Sequence, residues 1–546
     1  MTRPARGENP ATRSRAADPD PARAVNPATR SCAANPDPAR AVNPETSRPS
    51  AEPHPARGEN PATSRPPAEP DAAGSGAFKI ALQVFGVADE LASYYDAPGE
   101  PSNVHLEARV PGHLDAAALR AATDAALAAQ PRARVRRAAR GWWRLTQLWE
   151  VPARLDGAVV TAATWADAAE LDRERERFLA AAPWLDRSPP LRVLLAAGPG
   201  EDRIILNAHH SALDGLSCLE LLRSIARLYP GGSGTAGSAA GAEPVVAEPV
   251  VAHPPVAEPA LAHPPVAEPA GAGALAGDAG PAPELDAARS RRAGKAGWRP
   301  AGVARIAADR PDGTAACDRS GSVFCLLPPR PVPTARPGRA TVNDVLIAGL
   351  IVAVRRWNAG HGRPAARIRI TMPVNARPAG SDGAAGNLSR LTTVTALAPA
   401  GREPGMGALI ADVAAQTRAA KDHAGPQVDP VSRFWATAWA PPAVKRRLLR
   451  LGLRTAGRFL CDTSLVSNLG VVAEPPRFGG VAVSGLWFST SAHMPRGVCA
   501  GAVTIGGRLH LCLRCRRALF GEAAAARFAE MYAAALDEIT GAGRPL

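Results

Sequence analysis

Read as a string of apolar and polar positions, the chain separates into two patterned stretches and two stretches with no pattern. Residues 104–110 alternate as a strand does, and 114–130 repeat Leu114, Ala118, Ala122 and Ala125 at helical spacing. Residues 163–181 read as a second helix with acidic residues toward its start. Residues 191–196 and 203–208 read as short apolar strands, and 216–228 as a helix turning Leu219, Leu222 and Ile225 or Ala226 inward. The second patterned stretch predicts a helix over 342–357, a strand over 368–374, a helix over 405–423, a strand over 463–467 and an apolar run over 481–489. A hairpin over 497–515 turns at Gly506-Gly507, and a helix over 521–539 closes the chain. Strands and helices mix in each half. The pattern therefore predicts an α/β fold with mixed α+β sheets, built as two similar lobes.

The unpatterned stretches have a different chemistry. Residues 1–77 hold 15 prolines, and their only large apolar side chains are Met1, Val25 and Val42. Such a segment buries too little surface to offset the entropy of ordering it, and it is expected to be disordered. Its repeats (Asn9-Pro10-Ala11-Thr12 returns from Asn26) present no apolar face on which to stack. A second Pro/Ala/Gly-rich stretch, 230–298, contains Ala252-His253-Pro254-Pro255 and its copy from Ala262, and reads as an extended spacer. The expected organisation is a disordered repeat tail over 1–77, a first lobe over 78–229, a disordered linker over 230–298 and a basic second lobe over 299–546.

Charge sharpens this division. The net charge is +14, and residues 286–546 alone carry 36 basic and 16 acidic side chains. No basic tail, stacking aromatic pattern or paired zinc motif accompanies the excess, so nucleic acid is not the expected partner. One basic face on an Arg-rich composition, or an anionic cofactor or acidic partner, accounts for it. The eight cysteines include one close pair, Cys512 and Cys515, on a predicted strand where residues three apart face opposite sides. No metal site is expected. No apolar leader and no run of 18 apolar residues occurs, and the expectation is a cytoplasmic protein with reduced thiols.

Candidate chemistry concentrates at Ile204-Ile205-Leu206-Asn207-Ala208-His209-His210-Ser211-Ala212-Leu213-Asp214-Gly215. An apolar strand ends in two histidines, a turn follows, and a helix opens at Asp214-Gly215. Adjacent side chains on a strand face opposite sides, so one imidazole faces a cavity while the other packs behind it. A histidine so placed can take a proton from a hydroxyl, amine or thiol. Asp214, at the helix start, can hold the loop through the local backbone or an arginine.

This segment resembles the HHxxxDG signature of the condensation-domain superfamily: peptide-synthetase condensation domains, polyketide-associated acyltransferases, wax ester synthases and, more distantly, chloramphenicol acetyltransferase. The resemblance spans most of residues 80–541, because further segments match in order. Thr341-Val342-Asn343-Asp344 is similar to a T-x-N-D helix start, and Pro373-Val374-Asn375-Ala376-Arg377 to a P-V-(N/S)-x-R strand end. Gly386-Asn387-Leu388-Ser389 resembles a G-N loop, and Ser467-Asn468-Leu469-Gly470 an S/T-N-x-G turn.

The resemblance implies two chloramphenicol-acetyltransferase-like lobes in a V, with a tunnel between them. It makes His210 the general base on the acceptor, or an electrostatic stabiliser of the tetrahedral intermediate, with His209 supporting it. Asp214 is then structural and paired with an arginine, for which Arg377 is the best-matched candidate. Gly215 allows close backbone approach, and Asn375, Asn387, Ser467 and Asn468 are supporting positions. The implied reaction moves an acyl group from a thioester to an amine or hydroxyl acceptor, in secondary metabolism. The donor is acyl-CoA or a phosphopantetheinyl thioester on a carrier protein arriving in trans, with no permanently bound cofactor. A wax-ester or acylglycerol type of O-acyltransferase and a non-catalytic interaction domain are the alternatives. Two features depart from the family pattern. An Arg-His pair common after the first long helix is absent from 129–134, and the linker is unusually long.

Arg446, Arg450, Arg454 and Arg458 recur every four residues within the basic run from Lys445 to residue 458, predicting one cationic helical stripe. It reads as a solvated face, a surface for an acidic carrier protein or a coenzyme A phosphate, or, less favoured, a peripheral membrane contact. Trp142-Trp143 and Tyr94-Tyr95 read as packing or tunnel lining.

Overall fold

The structure, a computed structural model, describes residues 82–139, 141, 143–231, 302–310, 319–333, 340–377, 386–397, 405–422 and 430–541. The tail expected over 1–77, the linker beyond residue 231, and Trp142 lie outside them.

The first half runs β1 (Leu82–Val84), α1 (Val87–Tyr95), β2 (Asn103–Pro111), α2 (Ala116–Ala129), β3 (Arg136–Arg137), β4 (Leu148–Glu150) and β5 (Val160–Thr164). It continues with α3 (Ala168–Leu179), β6 (Leu191–Gly198), β7 (Glu201–His209) and α4 (Gly215–Leu228). After the linker come β8 (Ser322–Pro331), α5 (Val342–Gly360), β9 (Arg367–Asn375), β10 (Ser389–Leu397), α6 (Met406–Asp422), α7 (Pro430–Ala436) and α8 (Pro442–Leu460). The chain closes with β11 (Ser464–Val472), β12 (Arg477–Phe478), β13 (Val481–Ala482), β14 (Gly485–Ser489), β15 (Val498–Ile505), β16 (Arg508–Arg516) and α9 (Glu522–Thr540).

Two mixed sheets organise these elements. One has the order β10-β9-β11-β15-β16-β8 and the other β14-β2-β7-β6-β5. The second sheet takes four strands from the first half and one, β14, from near the C-terminus. There β14 pairs antiparallel with β2, matching Leu486 to Ala108 and Phe488 to Leu106. The apolar run 481–489 is thus two short strands, and its second part completes the sheet of the opposite half. Leu486 and Phe488 are buried in the core formed by β2, β7, α2 and α4. The other core surrounds α5, which has no polar face: 14 of its residues are buried, so it lies between the six-stranded sheet and its neighbours α6 and α9.

The familiar segment at Thr341 proves to be a capping box. Asp344 accepts from the Thr341 backbone N–H (2.7 Å), and the Thr341 hydroxyl accepts from the Asp344 N–H (3.3 Å). Thr417 of α6 donates to the other Asp344 oxygen at 2.6 Å, tying the two helices together. The expected hairpin is β15–β16, closed by Gly506 and Gly507 at φ 56° and 71°. On β16, Cys515 joins the core around α5 while Cys512 joins a separate cluster with Ile205 and Trp487, so the pair does face opposite sides.

β8 has no clear sequence signal because it contains Pro328, Pro329 and Pro331. It lies at a sheet edge, where a missing N–H is tolerated. The basic run also differs from expectation. Lys445 is completely buried, donating to a Glu90 carboxylate oxygen at 2.5 Å and to the Thr437 carbonyl at 3.1 Å. Arg450 donates to the Asp96 carbonyl, and Arg446 is half-buried. These cations fasten α8 to the first half, and Val444, Leu448 and Leu451 face outward instead.

Candidate functional site

The site forms where β7 runs out. His209, its last residue, is fully buried; its Nδ1 accepts from the Ser211 N–H at 3.1 Å, and its Nε2 lies 3.8 Å from an Asp96 carboxylate oxygen. Burial alone would raise the pKa of Asp96, but the adjacent His209 outweighs it and holds the carboxyl below its ordinary value. His210, one residue on, faces the other way, as strand alternation requires. Its backbone N–H donates to the Ser102 carbonyl at 2.9 Å, and its imidazole lines a cavity of about 240 Å³. Burial pushes the His210 pKa down, only partly opposed by its own backbone carbonyl and by Asp214. The ring is therefore neutral at physiological pH, the form that accepts a proton.

Asp214 caps α4 and accepts hydrogen bonds at both carboxylate oxygens. The Ser217 N–H donates to Oδ1 at 2.9 Å. Arg377 donates to both oxygens, at 2.7 and 3.0 Å, with both side chains almost wholly buried. The Leu388 N–H and the Ser389 hydroxyl complete the set at 3.1 and 3.2 Å. Burial tends to raise the Asp214 pKa, and Arg377 more than reverses it, leaving a carboxylate. The Gly386 loop is stapled to the same helix start. Ser217 Oγ donates to the Gly386 carbonyl (2.7 Å) and accepts from its N–H (2.9 Å), and the Asp214 N–H donates to that carbonyl as well (3.2 Å). A first-half helix is thereby locked to two segments of the second half.

The remaining sequence candidates divide. Asn375 Oδ1 accepts from the Arg377 backbone at 3.1 Å and from its guanidinium at 3.4 Å, so Asn375 positions the arginine. Asn387 and Ser467 line the cavity with His210, Asp214 and Gly215. Asn468 accepts from the Gly470 N–H at 2.9 Å, where the β11–β15 register shifts. A Cβ at Gly215 would stand 2.6 Å from both the Leu469 and Phe488 side chains. Close approach is thus real at Gly215, and the groups approaching are apolar side chains from β11 and β14.

Sequence reasoning missed much of the cavity wall. Of the tyrosine pair read as packing or tunnel lining, Tyr95 of α1 does line the cavity and Tyr94 is buried, donating to Glu90, whereas Trp143 is exposed. The segment after β14 supplies Thr490, Ser491, His493 and Arg496. Burial, and then the guanidinium groups of Arg514, Arg496 and Arg516, push the His493 pKa down to about 3, so this second cavity imidazole is also neutral. Arg496 donates to Thr371 Oγ1 at 3.3 Å. No motif marks these residues, because they reach the site only through the crossing of β14.

Comparison with known proteins places this geometry. No family model matches the chain. It is similar to the uncharacterised protein Rv2305 of Mycobacterium tuberculosis (strain H37Rv), at 31% identity over 478 residues, covering 81% of this chain and 96% of that protein. The corresponding protein MT2362 of strain CDC 1551 matches to the same extent. Among solved structures, the condensation domain of the monacolin K polyketide synthase superposes with a TM-score of 0.52 at 15% identity, covering 85% of this chain and 98% of that one. The first condensation domain of the CDA synthetase gives 0.51 at 15% identity, with 84% and 96% covered. The starter condensation domain of rhizomide synthetase, in complex with C8-CoA and Leu-SNAC, gives 0.50 at 11% identity, with 83% and 92% covered. With its HHxxxDG loop at the junction of two mixed sheets, the chain has the condensation-domain fold and belongs to the same family as Rv2305.

Proposed function

We propose that the protein is an acyltransferase of condensation type. His210 Nε2 takes the proton of an amine or hydroxyl acceptor as that atom attacks the carbonyl carbon of an acyl thioester. The tetrahedral intermediate collapses, the C–S bond breaks, and the departing thiolate takes the proton from the imidazolium. An amide or ester and a free thiol result. The observation that carries this reading is a neutral imidazole on the wall of a cavity between the two halves, set there by a loop that the Asp214–Arg377 pair immobilises. Such preorganisation keeps the base within reach of the acceptor without reordering during reaction.

The donor is a thioester on coenzyme A or on a carrier protein, brought in trans. The acyl-CoA complex of the rhizomide synthetase domain supports a donor of that kind. The reaction belongs to secondary metabolism, as in the synthetases whose condensation domains share this fold. The test mixes the full chain with octanoyl-CoA, or an octanoyl carrier protein, and a panel of amines and alcohols. Free thiol is followed by colour and product by mass spectrometry. The expected outcome is acceptor-dependent thiol release that drops about 10²–10⁴-fold in His210→Ala. Thiol release at the wild-type rate in that variant would overturn the assignment.

A further inference from the structure

Helix α8 is oriented the wrong way round for a helix on a water-facing surface. Its exposed positions include Val444, Leu448 and Leu451, with Leu451 57% exposed, and Phe459 continues the stripe. At 100° per residue these positions fall on one narrow face that runs about 22 Å along the helix. Arg447 and Arg454, both exposed, lie along one flank of that face. Two other cations of the helix are turned inward, Lys445 onto Glu90 and Arg450 onto the Asp96 carbonyl. Just before α8, Phe434 (56% exposed) and Trp439 (39% exposed) stack at 5.3 Å between ring centroids, with Arg433 exposed beside them. Residues 430–460 contain seven basic and no acidic side chains.

We propose that α7 and α8 form a docking surface for an anionic lipid bilayer, on which α8 lies in the plane of the interface. Three observations favour lipid over an acidic protein. The outward stripe is aliphatic over its first two turns, at Val444, Leu448 and Leu451, and aromatic at Phe459, which suits an acyl-chain boundary better than a small charged footprint. Phe and Trp side chains occupy its end, as they do at membrane interfaces. The flanking arginines complement anionic headgroups, whereas the cations best able to meet an acidic helix are spent inside the protein. The same segment frames the cavity, since Ser432 of α7 and Cys461 immediately after α8 both line it. Docking would therefore bring a bilayer-dissolved substrate to the cavity mouth. Among the described residues no helix is long and apolar enough to cross a membrane, consistent with surface attachment.

The experiment is co-sedimentation of the full chain with sucrose-loaded vesicles, and it needs no catalytic activity. Vesicles of phosphatidylcholine alone are compared with vesicles containing phosphatidylglycerol, at low and high salt. Binding is expected on the anionic vesicles, weakening with salt. Arg447→Gln with Arg454→Gln should weaken it about fivefold per arginine and flatten its salt dependence. Leu448→Asp with Leu451→Asp should abolish it while the melting temperature is retained. The inference is overturned if the wild type stays in the supernatant with both vesicle types, or if folded Leu448→Asp/Leu451→Asp sediments like wild type. It is also overturned if these substitutions instead dissociate a dimer, or release an acidic carrier protein, in a chain that ignores vesicles.

Discussion

His210 owes its protonation state to the point at which β7 stops. One residue earlier the side chain faces Asp96 instead of the cavity, as His209 does. At 210 the dominant influence is burial, which lowers the pKa from 6.5. A base that must be neutral gains activity as pH rises through its pKa, so the acidic limb of kcat/KM should lie below pH 6.5, with a plateau through neutrality. A limb centred above pH 7 in the rate profile would contradict the assignment. Asp214 differs in kind, since its oxygens are saturated by donors from both halves and do not need to touch substrate. Asp214→Asn removes the carboxylate from a buried ion pair and should cost about 3–5 kcal/mol in urea or thermal unfolding. The carboxyl pKa is lowered in the folded state, so the pair's stabilisation is full above the unfolded value and disappears as pH falls through the folded one. The stability gap between wild type and Asp214→Asn should accordingly shrink below about pH 4. A pH-independent gap would assign the loss to packing.

At the scale of elements, the sequence made visible those whose surroundings are simple. β2 and α4 carry a readable periodicity, and β6 and β7 are short apolar runs buried on both faces; the histidine loop is legible because it joins β7 to α4. β8 and β14 were obscure for separate physical reasons. The prolines of β8 are permitted only by its edge position, which depends on the sheet order. β14 pairs with a strand more than 370 residues earlier, and nothing local records a partner so distant. The cavity residues that follow β14, among them His493 and Arg496, inherit that obscurity. The arginine stripe of α8 is only partly solvated, because Arg450 reaches the Asp96 carbonyl and Arg446 is half-buried while Arg454 is exposed, and periodicity does not record which neighbour draws a cation in. The crossing of β14 over β15 yields a direct test. A Cβ at Gly501 would lie 1.8 Å from the Phe488 carbonyl oxygen, an overlap that no rotamer change relieves because the atom struck is backbone. Gly501→Ala should therefore displace β14 and with it the Phe488 ring packed at Gly215. The expected loss is about 3 kcal/mol or more of stability, together with most of the activity. An active Gly501→Ala protein that melts with the wild type would show that β14 does not depend on this approach.

At the scale of the whole molecule, the crossing strand decides which parts of the chain can stand alone. Residues 1–77 hold almost no apolar surface to contribute to a core, so deleting them should leave thermal stability and acyl transfer within about twofold. The two patterned halves are not separable in the same way. A fragment ending near residue 231 retains β2, β7, β6 and β5 but lacks β14, leaving the backbone N–H and C=O groups of β2 unpaired at a sheet edge. It also lacks Val472, Phe478, Val483, Leu486, Phe488, Val503 and Ile505, which the second half adds to that core. At roughly 1.5–3 kcal/mol for each large apolar side chain buried, their loss is as large as the whole stability of an ordinary domain, about 5–15 kcal/mol. Residues 78–231 expressed alone should therefore aggregate or show no cooperative melt. Co-expression with residues 299–546 should restore a soluble complex, because β14 can then be supplied in trans. A monomeric, cooperatively melting 78–231 fragment would mean that the first sheet closes without its borrowed strand.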